Sequence, residues 1–470
     1  MTASAADASR QVLGRGSLYT LGTAGPILAG ALVTPAITRA VDRSEYGVIA
    51  TCVVVVQVLM FVAGLGLPSV ITRHGLLERS GLQGAKALVL QGSAATLGFV
   101  AVLAATSPLW SEPLLHIAWR PAIAIAALAA AALAVVESAL ALLRIQDQPL
   151  RFVAVSAVGT LGGPVIGLAL VHLGTHPSAG RYVTGLAVGY LLSAALGLWL
   201  GLRGRPAKGA PGDYRLALRT GLPVVPHQVS LYLAGAGLAV VANHAFGVVD
   251  GGRLSLALLV GSAAGVVTSA LNNSWVPVVF STPQAERGAV LERTGRDLAA
   301  LTALASGGVA LLAPWLLRVA APSRFDTDSL VKAVAITAAG SVLTIAYLAN
   351  VHLVFASGRS TGLAVVTPLS VLVGFVAAAA LSASGHLALV AFGFPITYAA
   401  LAIGTSVLRR RVSATAWQES RLLPPIALGL ALCAVGGLLP TDGASLAVRG
   451  VLAVLLLVGA ALVARRVVRR

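Results

Sequence analysis

The sequence predicts an all-α polytopic membrane protein, and three observations predict it. Of 470 residues, 57% are hydrophobic and only 10% charged, with a mean hydropathy of +0.90. A soluble chain carries roughly 25% charged residues to cover its surface. The apolar residues fall in runs of about 20, the length that crosses a hydrocarbon core of roughly 30 Å. The 33 basic residues crowd into alternate segments between those runs, the asymmetry that marks a cytoplasmic side. The runs lack the period-2 alternation of barrel strands, and backbone groups in lipid must pair within their own segment, so the spans are helices.

About 14 spans follow in order. The tail before the first, with Arg10 and Arg15, leads into an apolar run near 17–38, too long and wrongly ended for a cleavable signal peptide. Its Gly25 and Pro26 are hinge candidates, because small residues allow close approach and proline bends a helix. The turn "RAVDRSEYG" places Tyr46 in the interface belt and Gly47 at the bend. Spans near 47–70, 87–108, 121–143, 153–173 and 183–202 complete a first set. The longest loop, "RGRPAKGAPGDYRLALRTG", reads as a linker. A second set lies near 222–246, 254–280, 298–317, 333–356, 361–383 and 388–408, and a final pair near 424–440 and 447–464.

With the N-terminus cytoplasmic, its side holds Arg73, Arg79, Lys86, Arg144, Arg151, the linker cations, Arg287, Arg293, Arg296, Arg359, Arg409 to Arg421 and the C-terminal tail. Only Arg39, Arg43, Arg120, Arg181, Arg253, Arg318, Arg324, Lys332 and Arg449 fall opposite. This supports an even span count with both termini cytoplasmic, the net charge of +17 acting as an anchor on an anionic leaflet. The basic residues never interleave with aromatics, which excludes a nucleic-acid partner. Cys52 and Cys433 stand far apart within apolar runs, as packing residues.

The halves rhyme: a span ending at "TRAVDRSEYG" precedes one closing on "LPSVI", and a span ending at "ANHAFGVVDGGR" precedes one closing on "VPVVF". Two like-facing six-helix bundles around a central cleft, plus a C-terminal pair, form a common transporter plan. The domains expected are 1–205, 206–412 and 413–470. No loop is long enough to house a catalytic domain, and no nucleotide or metal motif is present, so the chain is not expected to be an enzyme.

"DRSEYGVIATCVVVVQVLMFVAGLGLPSVITR" resembles the span-one to span-two signature of bacterial polysaccharide flippases. These belong to the multidrug/oligosaccharidyl-lipid/polysaccharide exporter superfamily. The stretch from "RLALRTGLPVVPHQ" to "LNNSWVPVVF" is similar to the family's span-seven to span-eight region, and "LLRIQDQPLRF" to its loop after span four. The resemblance runs in span order over nearly the whole chain. It implies a plasma-membrane transporter that flips a polyprenyl-diphosphate-linked oligosaccharide to the outer leaflet by alternating access, for cell-surface polysaccharide. The implied partners are that substrate, membrane lipids and other polysaccharide-assembly proteins. No cofactor is implied, only proton or sodium coupling, and the final helix pair would shape a lateral groove for the lipid tail. Within the superfamily the alternatives are an ion-coupled multidrug exporter and a lipid II flippase. From another class, a membrane glycosyltransferase or polymerase acting on polyprenyl-linked sugars needs a larger outer loop than "APSRFDTDS". The chain departs from the family late in span seven, where an acidic–basic pair is common and Asn243 and His244 stand here.

Polar groups within spans are substrate-path candidates because lipid penalises them. Glu137 is the acid deepest inside an apolar run, two turns before Arg144; it either faces a cleft or packs against a neighbouring helix. Pro223 and Pro226 flank His227 and Gln228; they either break span seven beside a cavity or sit harmlessly in its first turn. Asn272 and Asn273 stand together, and Asn350 and His352 are two apart on different faces; amides and imidazoles suit sugar hydroxyls or interhelical bonds alike. Arg39, Arg73 and Arg144 are the candidate partners of a diphosphate, which guanidinium matches in geometry.

Overall fold

A computed structural model describes residue 30 and residues 32–468, which form helices and, among the described residues, no strand. Twelve described helices are long and apolar enough to cross a membrane, and a bent pair makes a thirteenth span. The predicted first span lies largely outside the described residues, as do Gly25 and Pro26; its end is α1, 32–40. The chain divides at Val229–Ser230 into two compact units.

Unit 1 holds α2 (Arg43–Leu77), α3 (Gly81–Ala105), α4 (Pro121–Ile145), α5 (Pro149–Leu173), α6 (Ala179–Leu202) and the start of α7 (Asp213–Phe246). Its centre is α4, whose alanine-rich run packs on α2, α3 and α6. Small side chains let helix backbones close together in lipid. The turn before α2 is tighter than expected. Asp42 Oδ1 accepts the Glu45 N–H at 2.8 Å, an N-cap that starts the helix at Arg43. Tyr46 and Gly47, expected at the interface and the bend, are therefore buried inside the helix.

Inside α2 the helix breaks at Leu65 and Gly66, both left-handed (φ 52° and 69°). The freed Ala63 carbonyl accepts Thr96 Oγ1 of α3 at 2.8 Å. A Cβ on Gly66 would strike the Gly221 carbonyl of α7, so this close crossing needs glycine. In α5, Ser193 of α6 donates to the Val155 carbonyl at 2.7 Å, just before the ladder loosens into a π-turn at Val158–Gly162. Beyond it, Gly163 and Gly167 meet Gly185 and Gly189 of α6 so closely that a Cβ on either of the latter would collide with the facing backbone. These are two G-x-x-x-G faces pressed together.

Pro223 and Pro226 stand where the helical run is interrupted. The helix begins earlier, at Asp213, and passes them by tightening into a 3₁₀ turn over Leu222–Val224 before resuming at Val225. They lie in the interior of α7, where a 3₁₀ turn accommodates the missing donors.

Unit 2 holds the rest of α7, then α8, a pair of limbs Val248–Gly261 and Ala263–Ser281 bent by 42°. It continues with α9 (Gln284–Ala320), α10 (Thr327–Ala356), α11 (Leu363–Ser382), α12 (Leu387–Val412), α13 (Glu419–Leu438) and α14 (Gly443–Val468). Here α10 is central, packed on both limbs of α8 and on α9, α12 and α13. Each unit is thus organised around the fourth span of its predicted set. At 37 residues, α9 is longer than a bilayer requires, and Arg287, Arg293 and Arg296, expected in a loop, lie on its first turns.

Arg449, counted as a loop residue, lies inside α14 and is fully buried. A proline and a helix end explain it. Pro314 has no N–H for the Ala310 carbonyl of α9, and the Gly436 carbonyl belongs to the last turn of α13, which ends at Leu438 just before Pro440. Arg449 donates to both, at 3.4 Å and 2.8 Å, and also to Leu311, Leu439 and Pro440 oxygens. Two carbonyls orphaned at roughly 1–3 kcal/mol each predict that Arg449→Met lowers stability by about 3 kcal/mol. Adding Pro314→Ala, which returns a donor to Ala310, should recover part of that loss. Thermal unfolding in detergent reads both variants, and an unchanged Arg449→Met midpoint would contradict the clamp.

Candidate functional site

The densest polar cluster of unit 2 joins residues that the sequence presents separately. On α10, Asn350 and His352 are 1% and 4% exposed and, as their two-residue spacing dictates, face different neighbours. His352 Nε2 meets Asn272 Oδ1 of α8 at 2.9 Å. Its ring stands edge-on to Trp275, centroids 5.2 Å apart, and Trp275 Nε1 donates to Thr294 Oγ1 of α9 at 2.8 Å. Asn350 Nδ2 donates to Glu419 Oε2 at 3.1 Å.

Glu419, at the start of α13, is the hub. Its Oε1 also accepts from Arg409 Nη2 at 2.6 Å and Ser406 Oγ at 2.7 Å, both on α12. One carboxylate therefore ties α10, α12 and α13 together. Asn350 Oδ1 and Arg409 Nε are buried without a hydrogen-bond partner among the described residues, an acceptor and a donor within one cluster. Sequence reasoning counted Arg409 among the cations between spans and made no reading of Glu419. The signal available was a buried-length arginine ten residues before a lone acid, between two apolar runs.

Unit 1 has a matching hub at Glu45. Its carboxylate accepts Arg120 Nη1 at 2.7 Å and the Ala179 N–H at 2.6 Å, joining the starts of α2, α4 and α6. Glu137 is half-buried on α4, within electrostatic reach of Arg144 and Tyr190. Arg144 is exposed at the end of α4, 5.2 Å over the Phe152 ring. Arg73 pairs with Glu78 at 2.9 Å, and Arg39 is exposed, donating to the Pro35 carbonyl at 2.7 Å.

The remaining candidates scatter. His227 and Gln228 are half-buried on α7. Asn243 is fully buried against Gly251, where a Cβ would collide with its Oδ1, while neighbouring His244 is exposed and bonded to the Val240 carbonyl. Asn273 is exposed. A cavity of about 690 Å³ opens between α9, α13 and α14. Glu292, Arg293, Asp297 and Arg421 line it together with Pro425 and Leu428.

No family model matches the chain, and no curated protein matches its sequence. Solved structures do. The lipid II flippase MurJ in an inward closed conformation is similar with a TM-score of 0.68 at 10% identity, over 96% of this chain and 100% of that one. An inward-facing multidrug resistance MATE family transporter of the MOP superfamily is similar at 0.57 and 18%, over 86% and 98%. A MOP superfamily transporter from Pyrococcus furiosus is similar at 0.51 and 15%, over 90% and 93%. The chain is a multi-pass membrane protein with the fold these transporters share.

The Glu419 hub makes a direct prediction. Glu419→Gln should destabilise by about 1–3 kcal/mol through weakened bonds to Arg409, Ser406 and Asn350. Adding Asn350→Ala should cost less than the sum of the two single variants, because both remove the same bond. Strict additivity in thermal unfolding would show that the two residues do not act together.

Proposed function

We propose that this chain flips a polyprenyl-diphosphate-linked oligosaccharide from the cytoplasmic to the outer leaflet by alternating access, for export of a surface polysaccharide. The observation that carries this reading is the extent of the fold match. The likeness to a lipid II flippase takes in 96% of the chain at a TM-score of 0.68, against 86% at 0.57 for a multidrug transporter. A lipid-linked cargo needs a polar place for its headgroup and an apolar one for its tail. The cavity between α9, α13 and α14 offers both, with arginines beside proline and leucine, and this supports a role for the final helix pair in holding the tail.

Glu137 is the proposed coupling group, a carboxylate on the central helix of unit 1 that exchanges a proton or sodium ion as the cargo moves. A second cargo, lipid II itself, is favoured by the same fold match. Against it, the described arginines of unit 1 stand at helix ends, such as Arg43, Arg73, Arg144 and Arg181, rather than within the spans.

Deletion of the gene should make lipid-linked oligosaccharide accumulate on the inner leaflet and deplete the surface glycan. Restoring the chain with Glu137→Gln at normal expression should return export only in part, lower by about tenfold, which equals about 1.4 kcal/mol. An unchanged lipid-linked pool and surface glycan after deletion would refute the reading.

A further inference from the structure

Three segments of unit 1, around residues 79–86, 146–151 and 200–205, close on a cavity of about 750 Å³. Arg79, Arg151, Arg203 and Arg205 line it together with glutamine amides. No carboxylate belongs to the lining, and none of the four arginines is ion-paired among the described residues. Asp213, bonded to the lining residue Ser80 at 2.9 Å, lies outside it. Both other cavities described differ in this respect: arginines in the α9–α13–α14 cavity stand with Glu292 and Asp297, and Arg253 and Lys332 of a third stand with Asp326 and Asp328.

The cationic lining is held in place. Lys86, 2% exposed, donates to the carbonyls of Leu202, Arg203 and Arg205 at 3.2, 2.6 and 3.0 Å, fixing the turn that presents Arg203 and Arg205. Gln146 Nε2 ties the same turn to α4 through the Gly201 carbonyl at 2.7 Å. Arg151 Nη1 is steadied by Gln148 Oε1 at 2.7 Å, and the Arg203 guanidinium lies 3.4 Å above the Trp199 ring.

We propose that this cavity binds the headgroup of an anionic glycerophospholipid bearing two phosphates, as a resident of the protein independent of any transported cargo. Four forked guanidinium groups without carboxylates match two phosphodiesters, and basic pockets between membrane helices suit such heads. The acyl chains distinguish a lipid from free phosphate. Leu82 lines the cavity, and Leu150 and Trp199 precede the lining residues Arg151 and Leu200 in the chain; the three are 40%, 73% and 57% exposed, and an exposed tryptophan at a span end belongs at the membrane interface.

The test uses the full chain, delipidated in a zwitterionic detergent, with bound lipid counted by native mass spectrometry and thermal unfolding followed in parallel. Cardiolipin should bind at one copy and raise the unfolding temperature, while phosphatidylcholine does neither. The variant carrying Arg79→Gln, Arg151→Gln and Arg205→Gln should bind cardiolipin at least about tenfold more weakly. The charge-matched Arg324→Gln, Arg359→Gln, Arg411→Gln variant should bind as wild type does. Equal binding of phosphatidylcholine, or undiminished binding by the first variant, would overturn the proposal. So would full stabilisation by inorganic phosphate alone, which would mark a free-anion site. If the first variant does not fold, the contrast between the two lipids on the wild-type chain decides.

Discussion

A backbone carbonyl that loses its helical donor inside a membrane has no water to turn to, and the rest of this structure depends on how such carbonyls are satisfied. The break in α2 leaves the Ala63 oxygen to Thr96, and beside the loosened turn of α5 the Val155 oxygen, which accepts the Val158 N–H, takes a second bond from Ser193. Where the deficit is larger, a buried cation takes it. Lys86 closes the end of α6, and Arg449 gathers the carbonyls that Pro314 leaves open in α9 and the helix end leaves open in α13. A cation at a helix C-terminus also meets the negative end of the helix dipole.

The same principle explains how the sequence could and could not be read. Span number and order were legible because lipid imposes a length and an apolar composition on each helix, and α2 to α6 and α10 to α12 fall close to their predicted places. Helix ends were less legible, because they depend on caps and tertiary donors. Asp42 started α2 early, and α9 and α7 run well past the apolar windows. The basic residues misled in one specific way. Lys86 and Arg449 look like interface charges in a count by loops, yet both are buried structural donors. Arg449 lies nine residues after Pro440 and within the first turn of the last apolar run, which was the clue available.

Of the candidate site, the polar positions on α8 and α10 were visible as in-span residues. Their partners were not, because Glu419 and Arg409 are far from them in sequence and lie at helix ends. Each unit ends up with one acid tying three helices, Glu45 for α2, α4 and α6 and Glu419 for α10, α12 and α13.

The central claim is that the chain by itself carries a lipid-linked sugar headgroup across a bilayer. Purified protein reconstituted into sealed vesicles, with polyprenyl-diphosphate oligosaccharide initially in the inner leaflet, tests it most directly. An impermeant glycosidase outside reports each headgroup that crosses. The account predicts digestion well beyond protein-free vesicles, with the membrane still sealed to small dyes. Digestion equal to that of protein-free vesicles, with correctly folded protein present, would contradict it.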